Sequence, residues 1–325
     1  MHNSFGSKFK IDIWGASHAP EMGVRISGVP CGITLCEEDF MADILRRKPF
    51  GRGATTRIES DIPTIVLGVE SGVTTGEPIE ITFRNDNVRS SDYSEFERHP
   101  RPSHVDLVAR RKYGCDVDLR GGGQFSGRMT LLLVAAGVVA KRVVQAISYT
   151  TEIVELEGSR NREEFDTIVE EAIKSGDSVG GVVECVAQGV PSGLGEPFFD
   201  SAESIIAHLM FSVPAVKGVE FGSGFEGVKM RGSQRNDLII DSEGHTATNN
   251  EGGINGGITN GNDLVVRVAV KPTPSIAIPQ MTFDFAKGEV APLAIKGRHD
   301  SCILYRAQVV VEAVVAIALA ELSLQ

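Results

Sequence analysis

Positive charge is scarce in this chain. Its 32 Lys and Arg are outnumbered by 43 Asp and Glu, leaving a formal net charge of -11. That balance argues for solubility and against general binding to nucleic acid or a membrane surface. Cysteine occurs five times, at Cys31, Cys36, Cys115, Cys185 and Cys302, an odd number without a CxxC spacing. Reduced thiols in a cytoplasmic protein are expected, rather than a disulfide framework. The opening MHNSFGSKFKIDIWG lacks the apolar core of a secretory signal. No uncharged apolar run reaches the roughly 18 residues of a membrane span. The GxxxxGK[ST] nucleotide loop, low-complexity tracts and internal repeats are all missing.

Glycine, in contrast, is abundant and clustered, with 36 residues. No segment is long and polar enough to be a linker, so these glycines are expected in tight turns and ligand-facing loops. Hydrophobic residues make up 42% of the chain, enough for a large core, and 1–325 reads as one domain.

Apolar alternation predicts strands at 8–14, 24–29, 62–69, 79–83, 149–156, 179–188 and 264–270. Helical spacing predicts helices at 37–47, 160–175 and 202–213. Segments 129–147 and 303–322 are apolar nearly all round, with runs such as LLLVAAGVVA and VVVEAVVAIALA. A helix without a polar face is buried on several sides, so strands are expected to pack on both sides of these two. The charges of Lys141, Arg142, Arg306 and Glu312 in or beside them argue against membrane spans.

The stretch 98–128 is cationic on an anionic protein. A local cluster of this kind points to a small anionic ligand. Within it, Gly121–Gly123 would let backbone approach that ligand where a Cβ would block it. Gly121, Gly123 and Ser126 only imitate GxGxxG, because no strand precedes them. His99 and His104 lack a ligand spacing, and no metal is expected. A second glycine-rich loop, GGINGGITNG, lies at 252–261. KPTPS at 271–275 is a stiff polar strap suited to a phosphate or a polar ring edge. GRHD at 297–300 puts a cation, an imidazole and a carboxylate before a buried helix, a set that can bind anions and move protons. SH at 17–18, RPSH at 101–104, SGR at 126–128 and RHD at 298–300 repeat this chemistry. Their recurrence favours one converging site over four separate helix caps.

The chain resembles the chorismate synthase family from end to end. The likeness rests on WGASH, RRKPFGR, VTTGEPI, RPSHVD, RKYGCDVDLRGGG, VAAGVVAK, GVPSGLGEP, PAVKGVEFGSGF, TNNEGGINGGI, KPTPSI and GRHDSC, in the family's order. The resemblance implies an α+β fold with helices sandwiched between antiparallel β-sheets, and a homotetramer. It implies a lyase that converts 5-enolpyruvylshikimate 3-phosphate into chorismate and phosphate by anti 1,4-elimination, with reduced FMN as cofactor. His18 matches the histidine that protonates the departing phosphate, and His104 the one that holds the flavin's protonation state. Ser126 and Asp300 match the pair that relays the substrate proton near the flavin. Arg47, Arg52, Arg101, Arg128 and Arg298 match the substrate clamp. Ala215, Gly256, Lys271, Pro272, Thr273, Pro274, Ser275 and Arg298 match flavin contacts. By the same resemblance Ser126 is a flavin contact too, and Gln124, Phe125 and Pro214 fall at flavin-contact positions where the family varies or differs.

The chain also departs from the pattern. GASHA replaces the usual GESHG, and GGQFSGRMT replaces GGRSSARET, so Gln124 and Phe125 stand for an arginine and a serine. Two alternatives follow. One is a flavin-binding paralogue with weak or no lyase activity. The other is a bifunctional form that reduces its own flavin with NADPH.

Overall fold

The structure is a computed structural model that describes residues 3–48, 59–85, 95–114, 116–295 and 300–325. Two antiparallel sheets enclose a layer of helices, the α+β sandwich expected from the sequence. The first sheet runs Ser4–Phe5, Lys10–Trp14, Glu21–Ser27, Ile79–Arg84, Thr64–Leu67. The second runs Val216–Phe221, Leu264–Val270, Gly181–Gln188, Ser148–Leu156. In Leu264–Val270 every second residue is buried and those between are partly exposed. This is the alternation of a sheet with one face on the core. Met22, Val24 and Ile26 line the inner face of the first sheet.

Between the sheets lie the two apolar helices, Thr130–Val143 and Leu304–Ser323. The first rests on Glu21–Ser27, the second on Gly181–Gln188 and Ser148–Leu156, and the two pack on each other. Strands therefore flank the pair, but each helix has a sheet on one side and its partner helix on the other. Their contact is close at Gly137, where an added Cβ would lie 2.7 Å from Ala313 Cα. Gly137→Ala gains about 1 kcal/mol of helix propensity. Overpacking of this seam costs about 1–3 kcal/mol. A lower melting temperature is expected by calorimetry, and an unchanged or higher one would show that the helices can part.

Glu312 sits inside this layer with 4% of its surface exposed. Arg46 grips its two oxygens at 2.9 and 2.6 Å, and Lys141 reaches it from the neighbouring helix. Burial opposes ionisation of Glu312, but these cations outweigh it and hold the carboxyl below its usual range. At the far end of the same helix, Glu321 accepts from the backbone N–H groups of Ser7, Lys8 and Phe9 at 2.9, 2.9 and 2.6 Å.

Several boundaries differ from the sequence reading. The strand expected at 24–29 begins at Glu21 and stops at Ser27, because Gly28 turns the chain with φ 83°. The helix expected at 160–175 starts at Phe165, after a short turn capped by Asn161. The one expected at 37–47 splits into a 3-10 turn, Glu37–Phe40, and the α-helix Met41–Arg47. The helix Asp106–Tyr113, the strand Val216–Phe221 and the hairpin of Gln280–Asp284 with Glu289–Leu293 had no counterpart in the sequence reading.

Candidate active site

Gly121, Gly122 and Gly123 all have positive φ, at 58°, 85° and 55°. Only glycine adopts three such conformations in a row without strain. A Cβ on Gly121 would stand 2.6 Å from His18 Nε2. The bare backbone thus lies against the imidazole, which is 6% exposed. Ser17 N–H donates to the Gly123 carbonyl at 3.2 Å and ties the two loops together.

From the His18 loop a continuous series of hydrogen bonds runs through the site. Asn85 Nδ2 donates to the carbonyls of Ala16 and Ala19 at 3.3 and 2.6 Å, and its Oδ1 accepts from Arg128 Nε at 2.7 Å. Arg128 Nη1 donates to Asp61 at 2.8 Å, and Asp61 also faces Arg47 at 3.5 Å. Arg47 donates to Thr130 Oγ1 and to the carbonyls of Gly127 and Arg128 at 3.1–3.2 Å. Arg306 Nε donates to the Arg47 carbonyl, and its Nη1 to Asp300 Oδ2, each at 3.1 Å. The Asp300 carbonyl accepts from Thr273 Oγ1 at 2.6 Å, which brings in the 271–275 strap. Further along the strap, Ser275 Oγ accepts from Arg101 at 3.1 Å, and Lys271 Nζ donates to the Ser103 carbonyl at 3.0 Å. Arg101 makes a two-pronged pair with Asp106 at 2.8 Å for both bonds, and His104 Nδ1 meets the same carboxylate at 2.7 Å.

Burial, then the nearby Arg306, push the Arg47 guanidinium down to about 9, so it stays cationic at neutral pH. Burial disfavours ionised Asp106, yet hydrogen bonds from Arg101 and His104 hold its carboxyl well below the usual range. An ionised Asp106 can only accept, so the hydrogen between it and His104 sits on Nδ1, which also lies 3.0 Å from Arg101 Nη2. Two polar atoms stand apart from this pairing. Arg128 Nη2 and Ser17 Oγ are buried with no hydrogen-bond partner among the described residues. A buried guanidinium edge of this kind calls for an anion.

The structure thus links the His18 loop, Arg47, Arg101, His104, Arg128, Lys271, Thr273, Ser275 and Asp300. Ser126 joins by accepting from Arg128 N–H at 3.3 Å. The Ala215 carbonyl receives Lys271 N–H at 3.0 Å. Pro272 and Pro274 lie within the strap. Gln124 and Pro214 line a cavity of about 300 Å³ with Asn3, Leu133 and His208, and Gln124 accepts from Asn3 at 3.3 Å. The Phe125 ring turns toward Tyr113, with centroids 6.3 Å apart. Gly256 lies apart from the network, in a small hairpin whose next residue, Gly257, accepts from Ala202 N–H. Arg52 and Arg298 lie outside the described residues.

Sequence reasoning missed Asp61, Asn85, Asp106 and Arg306. Only Asp106 had a local signal, two residues past His104 within RPSHVD. The other three meet partners distant in sequence or carry no motif.

The chorismate synthase family profile matches residues 9–324. A chorismate synthase of Chitinophaga pinensis is 53% identical over 99% of this chain and 96% of its own length. One from Korarchaeum cryptofilum is 43% identical over 98% and 96%. A solved structure described as the crystal structure of chorismate synthase superposes with a TM-score of 0.75 at 28% identity, covering 98% of this chain and 92% of that one. On the match of nearly its whole length and on these relatives, the chain belongs to the chorismate synthase family.

Proposed function

We propose that this chain converts 5-enolpyruvylshikimate 3-phosphate into chorismate and phosphate by anti 1,4-elimination. The observation that carries the reading is the buried Arg128 Nη2 edge, without an acceptor among the described residues, in a site that also holds His18. The substrate has a phosphate and two carboxylates, and a planar guanidinium fork matches such groups. In this reading His18 donates a proton to the phosphate as its C–O bond breaks. Ser126 and Asp300 take the proton lost from carbon on the other face. Arg47 and Arg101 spend most of their donors on the protein itself, so they build the site and Arg128 meets the anion.

Reduced FMN, when bound, supplies transient electron density with no net redox change. The donor set suits that group. Lys271 offers a cation for its phosphate, while Ser275, Thr273 and the Ala215 backbone offer polar edges for its ring. Gln124 and Pro214 add an amide and an apolar wall in place of the family's arginine. The protein's part is to orient the ring against substrate and exclude water. A homotetramer in the cytoplasm completes the proposal. The exposed apolar side chains of Phe198, Phe199, Phe225, Leu238 and Ile239, each at least 70% exposed, support self-association.

Anaerobic turnover tests the reading. Chorismate should form with photoreduced FMN and fail to form without it. No product in either case would leave the flavin-binding paralogue. NADPH offered in place of photoreduction reads whether the chain reduces its own flavin.

A further inference from the structure

We propose that Asn85 is a positioning residue that locks the His18 loop to Arg128, and so fixes the proton donor relative to the anion clamp. The inference rests on the reading of His18 as that donor. Asn85 follows directly on the strand Ile79–Arg84, and Arg84 pairs with Glu21, the first strand residue after the His18 loop. The sheet thus sets where Asn85 stands, and Asn85 sets where the loop stands. Three of the six residues of loop 15–20 are held by it: the carbonyls of Ala16 and Ala19 by its side chain, and that of Pro20 by its backbone N–H at 3.0 Å.

The chemistry needs a primary amide. One end must donate to carbonyls, and the other must accept from a guanidinium. These neighbours also fix which end is which, because a carbonyl cannot donate and Arg128 Nε–H cannot accept. Ala16 and Ala19 are the two positions where the loop departs from GESHG. Asn85 grips their backbone, which any residue provides, so those substitutions leave the lock intact. On the other side, Asn85 takes Arg128 Nε and Asp61 takes Nη1. Together they fix the guanidinium plane so that Nη2 is the edge left over. A residue that merely ended a strand would touch neither the loop nor the arginine.

The test is a mutant cycle on the full chain with photoreduced FMN. Asn85→Ala should lower kcat about 10²-fold, the usual cost of misplacing a catalytic group by about 1 Å. It should also raise KM for the substrate, with FMN affinity unchanged. Asn85→Asp keeps the acceptor for Arg128 but sets a charged oxygen against two carbonyls. It should lower kcat with KM nearly unchanged. In a His18→Ala background neither change should slow turnover further, because groups acting as a unit are not additive. A parental kcat for Asn85→Ala, or effects that multiply in the double variant, overturns the proposal. If Asn85→Ala does not fold, the cycle is run with Asn85→Asp and read the same way. If His18→Ala alone turns over at the parental rate, the proton-donor reading fails and this proposal with it. A slow His18→Ala with multiplying Asn85 effects overturns this proposal alone.

Discussion

His18→Ala should slow turnover by roughly 10²–10⁴-fold, the range for a lost general acid. The fold and FMN binding should survive. The imidazole lies against the bare backbone of Gly121, in a loop held through the backbone of Ala16, Ser17 and Ala19. None of those loop anchors uses the His18 side chain, so the loop should keep its shape without the ring. The measurements are anaerobic kcat, a flavin titration and a melt on the same preparation. A histidine that only filled a niche would show the opposite pattern, an early melt with near-parental kcat. That result would remove His18 from the chemistry.

Arg128→Ala should weaken substrate by roughly 10²–10⁴-fold, with a much smaller effect on FMN. The Nη2 edge can give two charge-assisted hydrogen bonds to an anion, each contributing about 1.5–3 kcal/mol. Some loss of stability should accompany it, because Asp61 is 3% exposed and, among the described residues, would keep only the longer contact to Arg47. Arg128→Lys separates the two effects. It keeps a charge beside Asp61 but lacks the planar fork, so stability should recover more than affinity. Equal loss of FMN and substrate affinity would mean that Arg128 serves the flavin instead. Arg47→Ala and Arg101→Ala are expected to act differently. Arg47 donates to Thr130 and to two carbonyls, and Arg101 pairs with Asp106 while lying 4.3 Å over the Phe96 ring. Their loss should show in the melt before it shows in KM.

The sandwich was legible in the sequence because its signals are long. The two central helices lack a polar face over more than ten residues, and Leu264–Val270 alternates strictly. The helix Asp106–Tyr113 escaped because DLVARRKY shows no apolar stripe and carries three cations in its last turn. The strand Val216–Phe221 escaped because Gly218 interrupts it and glycines surround it. In the site, His18, His104, Ser126 and Asp300 were named through motifs. Their supports were not, because Asp61 and Asn85 act where distant segments meet and Arg306 carries no motif. Arg128 and Asp61 are 67 positions apart, and no spacing rule links residues so far apart. Asp300 shows the same limit. Among the described residues its carboxylate meets Arg306 on the final helix, a partner that the GRHD motif does not contain.

The hold of Glu321 on Ser7, Lys8 and Phe9 joins residues 312–314 positions apart. At about 5–20 residues per second of synthesis, roughly 15–60 s separate the appearance of those residues, in the bend between the first two strands, from that of their anchor. Through that interval the start of the first sheet has no carboxylate to hold it, and its open edge is a template for wrong pairing. This anchor therefore forms only once residue 321 has been made, and a chain stalled short of it would lack that hold on the start of its first sheet.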